Sequence, residues 1–237
     1  MIVEVLYPRV AQLFGDQGNV DYLKLCLPQA HFRYCDLQST PYFAHHKVDL
    51  VVLGSCTENM QRLIVQHLSP YRERLERMIE DGVFFLVTGS GFDVFGKKII
   101  DEDKKEFSAL GLFDYHIVQD RMHRFNSFVL AKHKGIEMVG FKSQFTRVYP
   151  KSTLPSFMKM IRGEGYNPDV AYEGLHRNNF YATQTLGPLL VLNPLFTTNL
   201  LKQMGLRNMK LPHHDALMHA YQKRLQELSS PNMKDYP

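Results

Sequence analysis

Cysteine is scarce: Cys26, Cys35 and Cys56 are the only three in 237 residues. An odd count without a pairing pattern excludes a disulfide framework and points to a reduced compartment. The opening Met1-Ile2-Val3-Glu4-Val5-Leu6-Tyr7 lacks a basic segment and a long apolar segment, so it does not read as a secretory leader. No window reaches the roughly twenty apolar residues of a membrane span. These absences make a cytoplasmic protein the expectation. Runs of like charge are also missing. The net charge is +4, and basic residues alternate with acidic ones, as in Arg72-Glu73-Arg74-Leu75-Glu76-Arg77. That is a solvated helix face rather than a nucleic-acid surface. Internal repeats, low-complexity stretches and linkers are absent as well, so one domain spanning 1–237 is expected, with a frayed tail at 229–237.

What is present is alternation. Val3 to Leu6 carries β-branched residues at strand spacing, and a turn-forming cluster, Phe14-Gly15-Asp16-Gln17-Gly18-Asn19, leads to helix from Val20. Val48 to Leu53 and Val83 to Val87 are short apolar runs, the pattern of strands buried on both faces. Between them Asn59 to Met78 reads as helix, with Leu63, Leu68, Leu75 and Met78 at spacings that share a face and Pro70 as a break. After Val87 the chain turns at Thr88-Gly89-Ser90-Gly91, and a helix is expected toward Gly96. Strand and helix in alternation predict a parallel sheet flanked by helices. Further on, Tyr115 to Val118, Ser127 to Leu130 and Ile136 to Gly140 read as strands of a more antiparallel region. Leu189 to Leu192 is another apolar run, followed by Pro194. A closing helix spans about Asp215 to Leu228, with Leu217, Ala220, Tyr221, Leu225 and Leu228 on its buried side.

Several segments, in order, resemble the cobyric-acid-synthase type of class I glutamine amidotransferases, and in particular its branch of lipid II isoglutaminyl synthase glutaminase subunits. Tyr7-Pro8 with Phe14 to Asn19 looks like the family's "YP…YGDxGN". Asp49 to Ser55 looks like "D…LGGG", and Phe84 to Gly96 like "vlaiCGGYQlLG". Gly111 to Asp114 looks like "GLgLlD", Gly140-Phe141 like the start of "GFENH", Tyr172-Glu173-Gly174 like "dGxEG", and Thr183 to Leu190 with Asn193-Pro194 like "TYlHGPlL..NP". The resemblance implies a flavodoxin-like α/β fold with a central, mostly parallel sheet.

It also implies glutamine hydrolysis, which needs a cysteine thiolate on a sharp strand-to-helix turn, a histidine to move protons, and backbone N–H groups for the oxyanion. Carried over residue by residue, the cysteine position falls on Gly89 and the histidine position on Leu186. Ser90 and Gly91 take the two glycines of the elbow, Phe92 its tyrosine and Asp93 its glutamine; "ENH" falls on Lys142-Ser143-Gln144. Leucine moves no protons, and glycine is the residue that accepts elbow torsions at least cost. The expectation is therefore a chain without glutaminase activity that acts as a binding or scaffold subunit. The alternative is an active amidotransferase or hydrolase whose nucleophile has moved to Cys56 or Ser90; the plainer readings of those two are a buried thiol and a turn hydroxyl. Gly54, Ser55 and Asp93 are the expected ligand contacts, and an anionic Asp93, if it faces the pocket, favours an amine-bearing ligand. The resemblance implies a separate partner, a synthetase subunit of Mur-ligase type, because the first strand begins at residue 2. A small amino acid or amide is the expected ligand, and no cofactor is implied.

Other clusters read more plainly. His213-His214-Asp215 with His219 lacks the density of a metal site, and Asp215 suits a helix cap or first turn. His31, His45 and His46 sit in polar loop contexts. Phe14 to Asn19 could present N–H groups to phosphate, but lacks the Gly-Lys pattern of a nucleotide loop.

Overall fold

The computed structural model describes residues 1–207 and 209–233. Strand β1 (Ile2–Leu6) leads through a turn into helix α1 (Gln17–Cys26), then β2 (His31–Cys35) and β3 (Leu50–Leu53). Helices α2 (Glu58–Leu68) and α3 (Arg72–Glu80) follow, joined by a 3-10 turn over Ser69–Tyr71. Pro70 sits in that turn and restarts the helix, as expected. After β4 (Phe84–Thr88) comes a 3-10 segment, Gly89–Phe95, where a regular helix was expected.

The remaining strands are β5 (Lys98–Ile100), β6 (Glu106–Ser108), β7 (Tyr115–Gln119), β8 (Phe125–His133), β9 (Ile136–Gln144), β10 (Thr146–Pro150), β11 (Ser156–Arg162), β12 (Tyr172–Arg177) and β13 (Phe180–Thr183). Among the described residues the closing helices are α4 (Leu189–Leu192), α5 (Pro194–Gln203) and α6 (His214–Leu228). The apolar run at Leu189 is thus one helical turn.

Among the described residues the larger sheet has the order β2-β1-β3-β4-β13-β12-β11-β8-β9. Its first five strands are mutually parallel, in the flavodoxin-like order, and the rest are antiparallel. A second sheet runs β10-β7-β5-β6. Strand β3 shows why its sequence is uniformly apolar. Val51 and Leu53 enter one core with Ile64, Leu68, Leu75 and Met78 of α2 and α3, whereas Leu50 and Val52 enter another with Val20 and Leu23 of α1 and Leu200 of α5. Both faces are covered, so no polar residue is tolerated. Glu4 on β1 is the informative exception: it is buried and accepts the Tyr42 and Phe43 N–H groups at 2.5 and 2.8 Å.

Two expectations are corrected. Leu63 is exposed (42%), because the buried stripe of α2 runs through Gln61, Ile64, Val65 and Leu68. Residues 229–233 are held rather than frayed: the Arg162 guanidinium donates to the Ser230 and Met233 carbonyls at 3.0 and 2.8 Å. Residues 234–237 of that tail lie outside the described residues. No helix is long and apolar enough to cross a membrane among the described residues.

Candidate functional site

Parallel sheets present ligands at the carboxyl ends of their strands. Here the loops leaving β3 and β4 meet there. Gly89 follows β4 with φ +56, the left-handed torsion that an elbow imposes. A Cβ on Gly89 would overlap the Ser55 hydroxyl and lie 2.7 Å from Leu186 Cδ2. The three positions carried over by resemblance, on the loop after β3, the elbow, and the segment after β13, therefore converge on one point. That point is occupied by Ser55 and Leu186 side chains.

Asp16 holds the two loops together. Its buried carboxylate accepts the Ser55 N–H and the Thr88 hydroxyl, each at 2.6 Å. Burial pushes its carboxyl above the usual range, and the hydrogen bonds from Thr88 and Ser55 oppose that rise. Gly54 is required behind it, since a Cβ would meet the Ala11 carbonyl oxygen at 2.5 Å and Asp16 Cβ at 2.8 Å. The Phe14 to Asn19 cluster serves packing: Pro188 lies over Gly15 and Gly18, and Asn19 Oδ1 accepts the Leu190 N–H at 2.9 Å.

A cavity of about 100 Å³ opens beside the elbow. Ser55, Cys56, Ser90 and Leu186 line it, together with Glu58 from the first turn of α2, Arg124 at the entry to β8, and Ser143, Gln144 and Thr146 of β9 and β10. The Arg124 guanidinium lies over the Phe145 ring at 4.5 Å, and one of its nitrogens is 3.3 Å from the Ser143 hydroxyl. The space suits the polar end of a small molecule. The Ser55 hydroxyl is buried and has no hydrogen-bond partner among the described residues.

Cys56 and Ser90 answer to each other. The Ser90 hydroxyl donates to the Cys56 carbonyl at 2.6 Å and accepts the Cys56 N–H at 2.9 Å. Its proton is committed to a carbonyl rather than to a base. Burial pushes the Cys56 thiol up to about 12, with only a partial lowering by the Ser90 hydroxyl, so it stays protonated at neutral pH.

Gly54 and Asp93 do not line the cavity. Asp93 is fully buried and faces inward, where its carboxylate accepts Gln61 Nε2 at 2.8 Å and Gln184 Nε2 at 2.9 Å. The condition for a direct, charge-based role in binding is thus not met. Burial raises its pKa to about 7, against hydrogen bonds from Gln184, Thr146 and Gln61 that lower it. Lys142 is likewise inside. Its Nζ donates to the Gly165 carbonyl at 2.7 Å and stands 3.7 Å from Glu173, which also accepts the Thr183 hydroxyl and the Gln184 N–H, both at 2.7 Å. This buried pair ties the Gly140-Phe141 and Tyr172-Glu173-Gly174 segments to the chain that delivers Leu186.

Asp215 lies in the first turn of α6 with its carboxylate 3.0 Å from His214 Nδ1. Among the described residues no three His, Cys, Asp or Glu side chains group as metal ligands. Sequence reasoning missed Glu58 and Arg124 as cavity residues. Neither lies in a segment that stands out by composition.

The sequence pattern of the CobB/CobQ-like glutamine amidotransferase domain matches residues 2–190. The chain belongs to the CobB/CobQ-like glutamine amidotransferase family. Two curated members resemble it along most of their length. The lipid II isoglutaminyl synthase (glutamine-hydrolyzing) subunit GatD of Streptococcus pneumoniae (strain ATCC BAA-255 / R6) is 23% identical over 223 residues, covering 90% of this chain and 85% of the relative. The subunit of the same name from Staphylococcus aureus (strain N315) is 25% identical over 193 residues, covering 81% and 79%. Two crystal structures of glutamine amidotransferases share the fold. One has a TM-score of 0.53 at 12% identity, covering 86% of this chain and all of that one. The other, from Thermotoga maritima, has a TM-score of 0.52 at 9% identity, covering 94% and 92%. In this CobB/CobQ-like chain the elbow lies between Ser55 and Leu186, at the mouth of the cavity that Glu58 and Arg124 flank.

Proposed function

We propose that this CobB/CobQ-like chain is an amidotransferase-type binding or scaffold subunit without glutaminase chemistry, its residues 1–237 forming one such domain. The observation that carries this reading is at Gly89. An attacking sulfur would have to stand on the elbow, where there is no side chain and where Ser55 and Leu186 leave no room for one. Leu186 supplies no proton transfer, and the thiol of Cys56 is held protonated.

The charges around the cavity support a binding role. Glu58 and Arg124 set opposite charges around one small cavity, the complement of an α-amino and α-carboxylate pair. A small amino acid or its amide is the ligand class proposed. The printed names of the two relatives describe subunits of a glutamine-hydrolysing synthase. By that likeness the partner of this chain is a synthetase subunit of Mur-ligase type, met in the cytoplasm.

The experiment is glutamate and ammonia release from glutamine by purified protein, beside a Cys56→Ser/Ser90→Ala double variant. The expected result is no release by either protein. Release that the double variant abolishes would identify a relocated nucleophile and overturn the reading. Mapping of the site labelled by an electrophilic glutamine analogue would then say which of the two it is.

A further inference from the structure

Beneath the cavity lies a chain of side-chain amides with Asp93 at its centre. On one side Gln61 Nε2 donates to Asp93 at 2.8 Å and to the Ser90 carbonyl at 3.1 Å, and Gln61 Oε1 accepts Gln119 Nε2 at 3.1 Å. On the other side Gln184 Nε2 donates to Asp93 at 2.9 Å and to the Thr146 hydroxyl at 3.2 Å. Gln184 Oε1 then accepts Gln144 Nε2 at 3.0 Å, and the same Gln144 nitrogen donates to the Thr146 carbonyl at 2.8 Å. Gln144 is the end of this chain and lines the cavity.

The direction of every amide follows from one group. An ionised carboxylate only accepts, so Gln61 and Gln184 both turn nitrogen toward Asp93. The oxygen of Gln184 therefore points away, and only a donor satisfies it. Gln144 meets that need with Nε2, and both of its N–H groups are used inward. Its Oε1, with no hydrogen-bond partner among the described residues, is the atom left for the cavity.

We propose that Asp93, which does not touch the cavity, is a positioning residue that fixes the polarity of Gln144, making this wall of the cavity a hydrogen-bond acceptor that selects a primary amide or ammonium group over a carboxylate. This rests on the reading of the cavity as an amino-acid or amide site. It gives Asp93 a part in ligand choice through two intervening amides rather than through its own charge.

Protonation or amidation of Asp93 removes the constraint. An Asn at 93 has one acceptor and one donor group. Gln61 is held independently by the Ser90 carbonyl, so the Asn oxygen stays with Gln61 and its NH2 meets Gln184, which turns over. The nitrogen of Gln184 then faces Gln144, and Gln144 must turn its oxygen inward and its N–H groups toward the cavity. The groups that face Asp93 are Glu58 on α2, Cys56 in the loop before it, Tyr115 on β7 and Lys142 on β9. The thiol and the phenol are both pushed far up by burial and stay neutral from pH 6 to 8. The Glu58 charge raises Asp93 further, and Lys142 attracts its anion.

The test needs no ligand at its first step. In the intact protein, the side-chain amide signals of Gln144, assigned by their loss in Gln144→Ala, are followed by NMR between pH 5.5 and 8.5. The wild type should show them titrating near pH 7, with solvent exchange at least about tenfold slower at pH 8 than in Asp93→Asn after correction for intrinsic rates. In Asp93→Asn the titration should vanish. Signals that neither titrate nor differ between the two proteins would overturn the relay, and the wild-type titration decides this even if the variant folds poorly. Calorimetry with L-glutamine and L-glutamate at pH 8 is the second step. The wild type should prefer glutamine by about tenfold or more, and Asp93→Asn should lose or reverse that preference. An unchanged preference in the variant would overturn the proposal. Binding of neither amino acid would overturn the reading of the cavity, and ligand selection with it, while the amide signals would still decide the relay.

Discussion

Ser55 and Gly89 compete for one volume: the Ser55 hydroxyl lies where a side chain on Gly89 would begin. In the family pattern that Asp49 to Ser55 resembles, a glycine stands at the Ser55 position. The two residues are a matched pair, since the small elbow residue is what allows the hydroxyl to lie inward. Neither substitution alone explains the site.

Restoring a nucleophile therefore takes more than one change. Gly89→Cys alone should release ammonia from glutamine at no more than a trace rate. Ser55→Gly/Gly89→Cys/Leu186→His clears the volume and supplies a base within reach of the elbow. It should release ammonia at about 10²-fold or more above the single variant, the usual contribution of one positioned acid–base group. A coupled assay for glutamate formation checks this.

The same pairing predicts a thermodynamic coupling. Gly89→Ala forces a Cβ into a left-handed torsion and into Ser55, at a cost of about 3 kcal/mol. Adding Ser55→Gly should recover about half of that loss, a coupling of about 1–2 kcal/mol between the two sites. Urea unfolding of the four proteins of the cycle measures it.

Asp16 should be the most sensitive residue of the framework. Asp16→Ala leaves the Ser55 N–H and the Thr88 hydroxyl without their acceptor and should cost about 3 kcal/mol. Asp16→Asn keeps one acceptor and should fall between. Faster hydrogen exchange at the Ser55 amide, beyond the global change, would report loosening of the two loops.

A half-buried histidine and a buried carboxyl should oppose each other as pH changes. His176 stacks on Tyr181 at 4.2 Å, and burial pushes its pKa down from 6.5 to about 4, helped by the nearby Lys134 and His133. The unfolded chain takes a proton there below about pH 6.5 and the folded chain does so near pH 4, so this contribution to stability is present above 6.5 and lost as pH falls toward 4. Asp93 runs the other way. The folded chain holds its proton up to about pH 7, whereas the unfolded carboxyl releases it near 3.8, so that contribution is present in acid and lost as pH rises from about 4 to 7. Relative to wild type, His176→Phe should gain stability on acidification from pH 7 to 4.5, and Asp93→Asn should lose it. Denaturant midpoints across that range check both signs.

The sequence by itself determined the parts whose cause is local. Residues 50–53 and 84–87 are apolar on both faces because both faces are covered, and a sheet of that kind leaves its mark on every residue. Pro70 breaks its helix through its own ring. The elbow at Gly89 and its counterpart Leu186 could be located because they lie in ordered, spaced motifs. Only the tertiary structure decided the rest. Strand β2 is largely exposed and β11 and β12 lie in mixed burial, so their pairing depends on neighbours distant in the chain. Glu58 and Arg124 reach one cavity from α2 and from the entry to β8, a meeting that no local pattern encodes. Asp93 is the sharpest case. Its place in the elbow motif was readable, but whether a carboxylate faces a cavity or the core depends on which partners surround it, and here the amides of Gln61 and Gln184 draw it inward.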